Sequence, residues 1–346
     1  MKVKQWSKSL IIYGIVSLCI ILLFNYSIDP FQHYRKAKIY TFNYSGNQRY
    51  LNPGLAKNYD FNSIIIGTSM TENFTLDRTK MIMHNPIKLS IAGGKAYEFK
   101  QILEIAFASH NIQTVLFGLD VYSFLNIKES YDGLPDYLCD DNFFNDYKYL
   151  LHFDTLKRAF KVLFSKDNNK NQKDYNYNHM FEWQAFNQKN FTLGNVIDNW
   201  NNRDKLFKHQ KNLWNFQELK NNFDESLYKI IAENKNINFI LFFPPYSALT
   251  YKDWEEKDSL NTILEFKEYM YNKLAALENV SLYDFQIAKE ITHNLNNYKD
   301  ITHYSQDINY WIIDQIYYGN FLITPENQKQ NLIFFFDQIK NYNITF

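Results

Sequence analysis

Cysteine is almost missing from this chain: its 346 residues include two, Cys19 and Cys139. Cys19 lies inside an N-terminal apolar run, follows Leu18 rather than a small residue and precedes further apolar residues. It therefore reads as a buried membrane residue and not as a lipid-attachment site. Cys139 is then alone in the remainder, which excludes an intrachain disulfide there even in an oxidising compartment. No Cys-x-x-Cys occurs, and the histidines are scattered without paired-ligand spacing, so no metal is expected. A Gly-x-x-x-x-Gly-Lys-Ser/Thr phosphate loop is missing as well; cofactor-free chemistry is the expectation. Neither sign of charge dominates, with Lys+Arg and Asp+Glu both at 37. That balance offers no overall field for a nucleic acid, which is not expected as a partner. No internal repeat is evident.

What the chain does have begins at its N-terminus. Lys2, Lys4 and Lys8 precede an apolar stretch from Leu10 to Phe24, extended by Tyr26 and Ile28. Basic residues before such a stretch favour a cytoplasmic N-terminus and an exported remainder. The strictly apolar part is shorter than the roughly 20 residues of a comfortable span, so a cleaved signal peptide competes with an anchor. No small-x-small cleavage site follows. The flank Asn25-Tyr26-Ser27-Ile28-Asp29-Pro30 supplies an interfacial aromatic and a proline stop, which fits an uncleaved signal anchor. The expected organisation is a cytoplasmic tip and transmembrane anchor over 1–30, a polar and aromatic stalk over 31–60, a folded domain over 61–324 and a C-terminal helix over 325–346.

The domain reads as α/β. Short apolar runs occur at Ser63–Gly67, Ile87–Ile91, Thr114–Leu119, Asn238–Phe243 and Ser281–Phe285, most of them separated by lengths that admit helices. This predicts a mainly parallel five-stranded sheet covered on both faces. Ala96–Ser109 has helical spacing at Phe99, Ile102, Leu103, Ala106 and Phe107. From about 125 to 225 the rhythm breaks into a helical and loop-rich insertion, with a solvated loop expected over Lys166–Asn178 and helix over Leu213–Glu233. The aromatic content of 18%, with abundant Asn, points more to AT-rich coding than to a sugar-binding surface. Trp183, Trp200, Trp214 and Trp254 are accordingly expected to fill the insertion core rather than to stack on sugars.

In an open parallel sheet, functional groups gather beyond the carboxyl ends of the strands. Those ends carry Gly67-Thr68-Ser69, Ser90-Ile91-Ala92-Gly93-Gly94, Gly118-Leu119-Asp120 and Pro244-Pro245-Tyr246, with Asp300-Ile301-Thr302-His303 following the fifth run. A serine hydroxyl is a weak nucleophile until a base takes its proton, and a histidine base needs an acceptor to fix its tautomer. Ser69, His303 and Asp300 supply those three residue types. Each also has a plainer reading. Ser69 with Glu72 three residues on makes a helix capping box. Glu290-Ile-Thr-His293 repeats the acid-x-x-His spacing, with His293 placed on a helix beginning near Gln286. Gly93-Gly94 serves a simple strand-to-helix turn.

Taken in order, Gly67-Thr68-Ser69, Gly93-Gly94 and Asp300-x-x-His303 resemble the blocks of the SGNH (GDSL-like) hydrolase superfamily over roughly residues 60–320. With the membrane anchor, the chain is similar to its exported branch, which includes alginate-type O-acetyltransferases and D-alanine transfer proteins. The resemblance implies a three-layer αβα, flavodoxin-like fold. It implies Ser69 as nucleophile, His303 as general base and then acid, and Asp300 as its orienter. Backbone N–H groups of Ser69 and of Gly93 or Gly94 would stabilise an oxyanion. One block departs: where the superfamily carries Gly-x-Asn-Asp, this chain has Gly118-Leu119-Asp120-Val121, and an ionised Asp120 cannot donate as an amide does. Altered third blocks also occur among the superfamily's acyltransferases, so the resemblance shifts the expectation from hydrolysis to O-acyl transfer, with acetyl favoured, onto a cell-envelope glycan. The donor side implies a multispanning membrane acyltransferase partner, and the location a bacterial inner membrane with the domain extracytoplasmic. The alternatives are a carbohydrate O-acyl esterase and a non-catalytic glycan-binding or assembly protein.

Overall fold

Six strands form one mixed sheet in the computed structural model, which describes residues 2–44, 46–125, 133–164, 176–206 and 214–345. They are β1 (Ser63–Ile66), β2 (Pro86–Lys88), β3 (Thr114–Gly118), β4 (Asn238–Phe243), β5 (Val280–Asp284) and β6 (Leu322–Ile323). Their order across the sheet is β2-β1-β3-β4-β5-β6. The first five pair in parallel, and β6 runs antiparallel to β5 through Leu282–Ile323 and Tyr283–Leu322. Every residue of β1 and β2 is buried, as is all of β4 beyond Asn238. Such continuous burial is what a parallel sheet covered on both faces demands, and Ile64-Ile65-Ile66 meets it with β-branched side chains suited to extended backbone. The five expected runs supply the parallel strands. The sixth escapes sequence reading because two residues are too few for any alternation.

The N-terminal helix Lys2–Ile28 includes one stretch, Gln5–Ile28, long and apolar enough to cross a membrane. Its flanks are exposed, with Leu10, Ile11, Ile15 and Leu23 all facing outward. Asp29 stops it: positive φ at this residue turns the chain, and its carboxylate accepts the N–H groups of His33, Tyr34 and Arg35.

Residues 31–60, expected as a stalk, are instead part of the folded body. The Gln48–Asn58 helix buries Leu51, Leu55 and Ala56 and packs on the Ala96–Ser109 helix, while Phe31, Phe42 and Tyr44 join the same core. Pro53-Gly54 in mid-helix hides the periodicity, because that dipeptide ordinarily marks a turn. Between β3 and β4 lie the Phe153–Phe164, Leu193–Leu206 and Phe216–Phe223 helices, the last continuing to Glu233. Most of the loop expected over Lys166–Asn178 lies outside the described residues. Of the four tryptophans, Trp254 and Trp200 are buried, and Trp214 packs half-buried against Tyr122 and Trp254. Trp183 goes elsewhere.

The chain runs from β1 outward to β2 and then crosses to β3 on the other side of β1. The loops after β1 and β3 therefore leave in opposite directions and open a crevice at their carboxyl ends. Ser69 and Asp120 follow those two strands.

Candidate active site

The turn after β1 is shaped by close backbone approach. Gly67 has φ +148°, and a Cβ there would lie 2.8 Å from the Thr71 methyl, so only glycine fits. Thr68 then caps the single turn Ser69–Thr71, its Oγ1 accepting the Met70 N–H at 3.3 Å. The capping box expected of Ser69 and Glu72 does not form. Thr68 does the capping, and Glu72 accepts instead from Gln48 Nε2 at 2.6 Å. Burial pushes the Glu72 carboxyl up, opposed by that hydrogen bond and by the charge of Lys88. Lys88, wholly buried on β2, donates through Nζ to the Glu72 carbonyl. Its own ammonium is pulled down to about 7 by burial, against the attraction of Glu182 and Glu72. With capping assigned to Thr68, the Ser69 hydroxyl is available for other work.

That hydroxyl lies 2.9 Å from His303 Nε2. On the far side of the ring, Nδ1 is 2.9 and 3.0 Å from the two Asp300 carboxylate oxygens. An ionised carboxylate can only accept, so Nδ1 carries the proton and Nε2 turns its lone pair to Ser69. Asp300 Oδ1 also accepts the N–H groups of Thr302 and His303 at 2.9 and 2.8 Å. Burial would raise the Asp300 carboxyl, but the hydrogen bonds and charge of His303 outweigh it and hold the group at about 2. Asp300 is thus ionised throughout the range in which an imidazole base operates.

The 300–309 segment is pinned in place from several directions. Tyr304 Oη and Asn309 Nδ2 both donate to the Met70 carbonyl, at 3.1 and 3.0 Å. Gln306 Nε2 donates to the Asn73 carbonyl at 2.9 Å. Ser247 and Thr250, beyond β4, both donate through their hydroxyls to the Ile301 carbonyl. These bonds tie the histidine segment to the serine turn and to the neighbouring strand end, and none of the donors carries a motif that a single sequence displays.

The two glycines after β2 part company. Gly94 donates its N–H to the Ile91 carbonyl at 2.8 Å and is engaged in the turn. Gly93, exposed and with φ +58°, donates its N–H to no acceptor among the described residues, and the same holds for Ser69. Of the expected oxyanion donors, Ser69 and Gly93 remain. Gln48 Oε1 accepts the adjacent Ala92 N–H at 2.6 Å, and Arg49 reaches both the Ala92 carbonyl and the Glu98 carboxylate. The supposed stalk therefore braces this turn. Asp120 accepts from Thr68 Oγ1 at 3.0 Å and from the Tyr122 N–H at 3.0 Å. Burial raises its carboxyl, opposed by Tyr246, by those two donors and by the charge of His303.

Trp183 completes the surroundings. Its ring stands edge-on to His303 with centroids 5.6 Å apart, and its Nε1 donates to the Ser69 carbonyl at 3.3 Å. Phe191 stacks on one side, and Lys299 Nζ lies 4.5 Å from the ring centroid. The Asn73 side chain accepts the N–H groups of both Trp183 and Gln184, so part of the insertion is fastened to the serine turn. The competing His293 is elsewhere, at the end of the Lys289–Thr292 helix and against Tyr342. Among the described residues no group of three His, Cys, Asp or Glu side chains is arranged to hold a metal. In comparisons with known proteins, no family model matches the chain, and no curated protein or solved structure matches it significantly.

Proposed function

We propose that this protein is a membrane-anchored, extracytoplasmic acyltransferase of SGNH type that moves an O-acyl group, acetyl by preference, onto a cell-envelope glycan. The observation that carries the reading is the unbroken chain Ser69 Oγ, His303 Nε2, His303 Nδ1, Asp300, with both contacts at 2.9 Å. The strand order β2-β1-β3-β4-β5 supports it too, being the doubly wound order in which loops at the β1/β3 switch point bind ligands.

In the first half-reaction the Ser69 proton passes to His303 Nε2 as Oγ bonds to the carbonyl carbon of the donor ester. The oxyanion is met by the N–H groups of Ser69 and Gly93. Collapse breaks the bond to the donor alcohol, which leaves with the proton from His303. In the second, a sugar hydroxyl gives its proton to His303 and attacks the acyl-Ser69 carbonyl, and Oγ recovers the proton as it departs. Asp300 fixes the tautomer throughout. Asp120, its carboxyl raised by burial, supplies no amide donor at the β3 end; the SGNH resemblance, in which acyltransferases also carry altered third blocks, is what favours transfer over hydrolysis. Trp183 and the segment fastened to Asn73 shield the acyl-enzyme from water.

The decisive experiment is covalent trapping of the full chain with a serine-reactive fluorophosphonate. Adduct mapped to Ser69 and lost in His303→Ala is the expected result. Labelling at another residue, or labelling of Ser69 indifferent to His303, defeats the assignment. An esterase is separated from a transferase by the acceptor: release of acetate from simple esters at a rate unmoved by added glycan marks hydrolysis.

A further inference from the structure

Beside the point where the N-terminal helix ends, the folded body shows an unusual surface. Phe143, Phe144, Tyr147, Phe153, Phe160 and Phe164 are all exposed, Phe144 to 90% and Phe153 to 74%. Phe153, Phe160 and Phe164 recur at intervals that bring them to one face of the Phe153–Phe164 helix. The opposite face buries Thr155 and Ala159. Lys157 and Lys161 are exposed among the rings. An amphipathic helix with phenyl rings on its outer side and lysines among them has the composition of one lying in a membrane interface.

The patch is continuous with the helix that has the length and composition to cross a membrane. Phe24 packs on Phe160 with ring centroids 5.1 Å apart, and Asn25 Nδ2 donates to the Leu150 carbonyl at 2.7 Å. A groove of about 470 Å³ separates Leu22, Leu23 and Tyr26 of that helix from Phe143, Phe144 and Tyr147. Arg35 closes the exit from the helix, donating to the Tyr26 carbonyl and lying 4.6 Å from the Tyr26 ring centroid. Leu22 and Leu23 belong to the apolar stretch itself, so whatever medium surrounds the last turns of the helix also reaches this groove.

We infer that this aromatic face is a membrane-docking surface, seated in the leaflet from which the N-terminal helix emerges, with lipid acyl chains filling the groove and Lys157 and Lys161 meeting the headgroups. The inference rests on the helix spanning the bilayer and is independent of the chemistry at Ser69. Burying six aromatic side chains in the interface fixes the tilt of the body instead of leaving it on a tether. A domain held this way meets substrates at the membrane surface and not in free solution.

The test places nitroxide labels on the full chain reconstituted in phosphatidylcholine–phosphatidylglycerol vesicles with no other protein. Labels go at Phe144→Cys and Phe153→Cys in a Cys19→Ser/Cys139→Ser background, at Glu104→Cys as an exposed polar reference, and at Cys19 itself in Cys139→Ser. The expected result is that collisions with a water-soluble nickel chelate at 144 and 153 fall about tenfold below those at 104, while collisions with oxygen exceed them. Nickel accessibility at 144 and 153 equal to that at 104, with Cys19 protected, overturns the docking face while leaving the span. Accessibility at Cys19 as well overturns both. Exposure in lipid vesicles but protection in native membranes assigns the face to a protein partner and also overturns it. Phe144→Ser/Phe153→Ser should leave fluorophosphonate labelling of Ser69 intact, which separates this inference from the proposed reaction.

Discussion

Glu290-Ile-Thr-His293 and Asp300-Ile-Thr-His303 share their spacing and both middle residues, yet the two histidines have opposite fates. His293 ends a helical turn, its ring packs against Tyr342 with centroids 4.7 Å apart, and its buried Nε2 has no partner among the described residues. Glu290 points to solvent. Burial, then the charge of Lys289, pulls the His293 imidazole down to about 4. His303 follows a non-helical bend in which Asp300 first accepts two backbone N–H groups of its own turn and then the ring. The shorter Asp side chain is what closes such a turn; Glu, one methylene longer, does not favour it. Spacing alone therefore makes no acid–histidine pair. It takes an acid that shapes its own backbone, and a strand end opposite to receive the imidazole.

The comparison breaks most severely if the wrong histidine matters. Ser69→Ala should abolish fluorophosphonate labelling, and His303→Ala should slow labelling of Ser69 by roughly 10⁴–10⁶-fold. His293→Ala should change it by no more than about twofold, because that ring is turned to Tyr342 and not to the serine. Equal losses in the two histidine variants would erase the distinction. Next in size, Asp300→Asn should cost roughly 10³–10⁴-fold by favouring the wrong tautomer, and Glu290→Gln almost nothing; initial labelling rates decide.

Acid should also separate the pairs. Asp300 sits at about 2 against an ordinary 3.8, so it contributes about 2 kcal/mol that is fully present above pH 4 and lost as pH falls towards 2. The gap in thermal midpoint between wild type and Asp300→Asn should close over that interval. His293 acts in the same sense but over a higher interval: the unfolded chain takes up its proton near 6.5 while the folded one resists to about 4. Stability should fall between those values as the medium acidifies, and His293→Phe should flatten that fall. Among residues that touch the serine–histidine pair, the smallest expected loss is at Trp183→Phe, which keeps the ring beside His303 but loses the N–H to the Ser69 carbonyl. A net loss of about 1 kcal/mol, or roughly fivefold in labelling rate, is expected.

The parallel strands are legible because β-branched runs such as Ile64-Ile65-Ile66 bury on both faces, and Ser69, Asp300 and His303 because they stand at the ends or beyond the ends of those runs. What holds them is not. Gln48 and Arg49 sit in a segment whose Pro53-Gly54 disguises a helix, and their braces to Ala92 and Glu98 join residues more than forty positions apart. Tyr304, Gln306 and Asn309 act on carbonyls of the serine turn, a kind of contact for which any residue with a suitable donor will do. Trp183 shares its sequence surroundings with tryptophans that do fill the core, and no local signal tells it from Trp254. Side chains that bond backbone leave little trace in a sequence, since the chemistry they need is so widely available.

The Met70 carbonyl, holding both Tyr304 and Asn309, has a consequence in time. Ser69 and His303 are 234 residues apart in the chain, so during synthesis the serine is made long before its base exists. Until the last strands and the closing helix arrive and those two donors take hold of Met70, Ser69 is an ordinary alcohol on an unfinished sheet. On the proposed chemistry, the enzyme comes into being only with its C-terminal segment, and a chain truncated before it carries the nucleophile but no means of activating it.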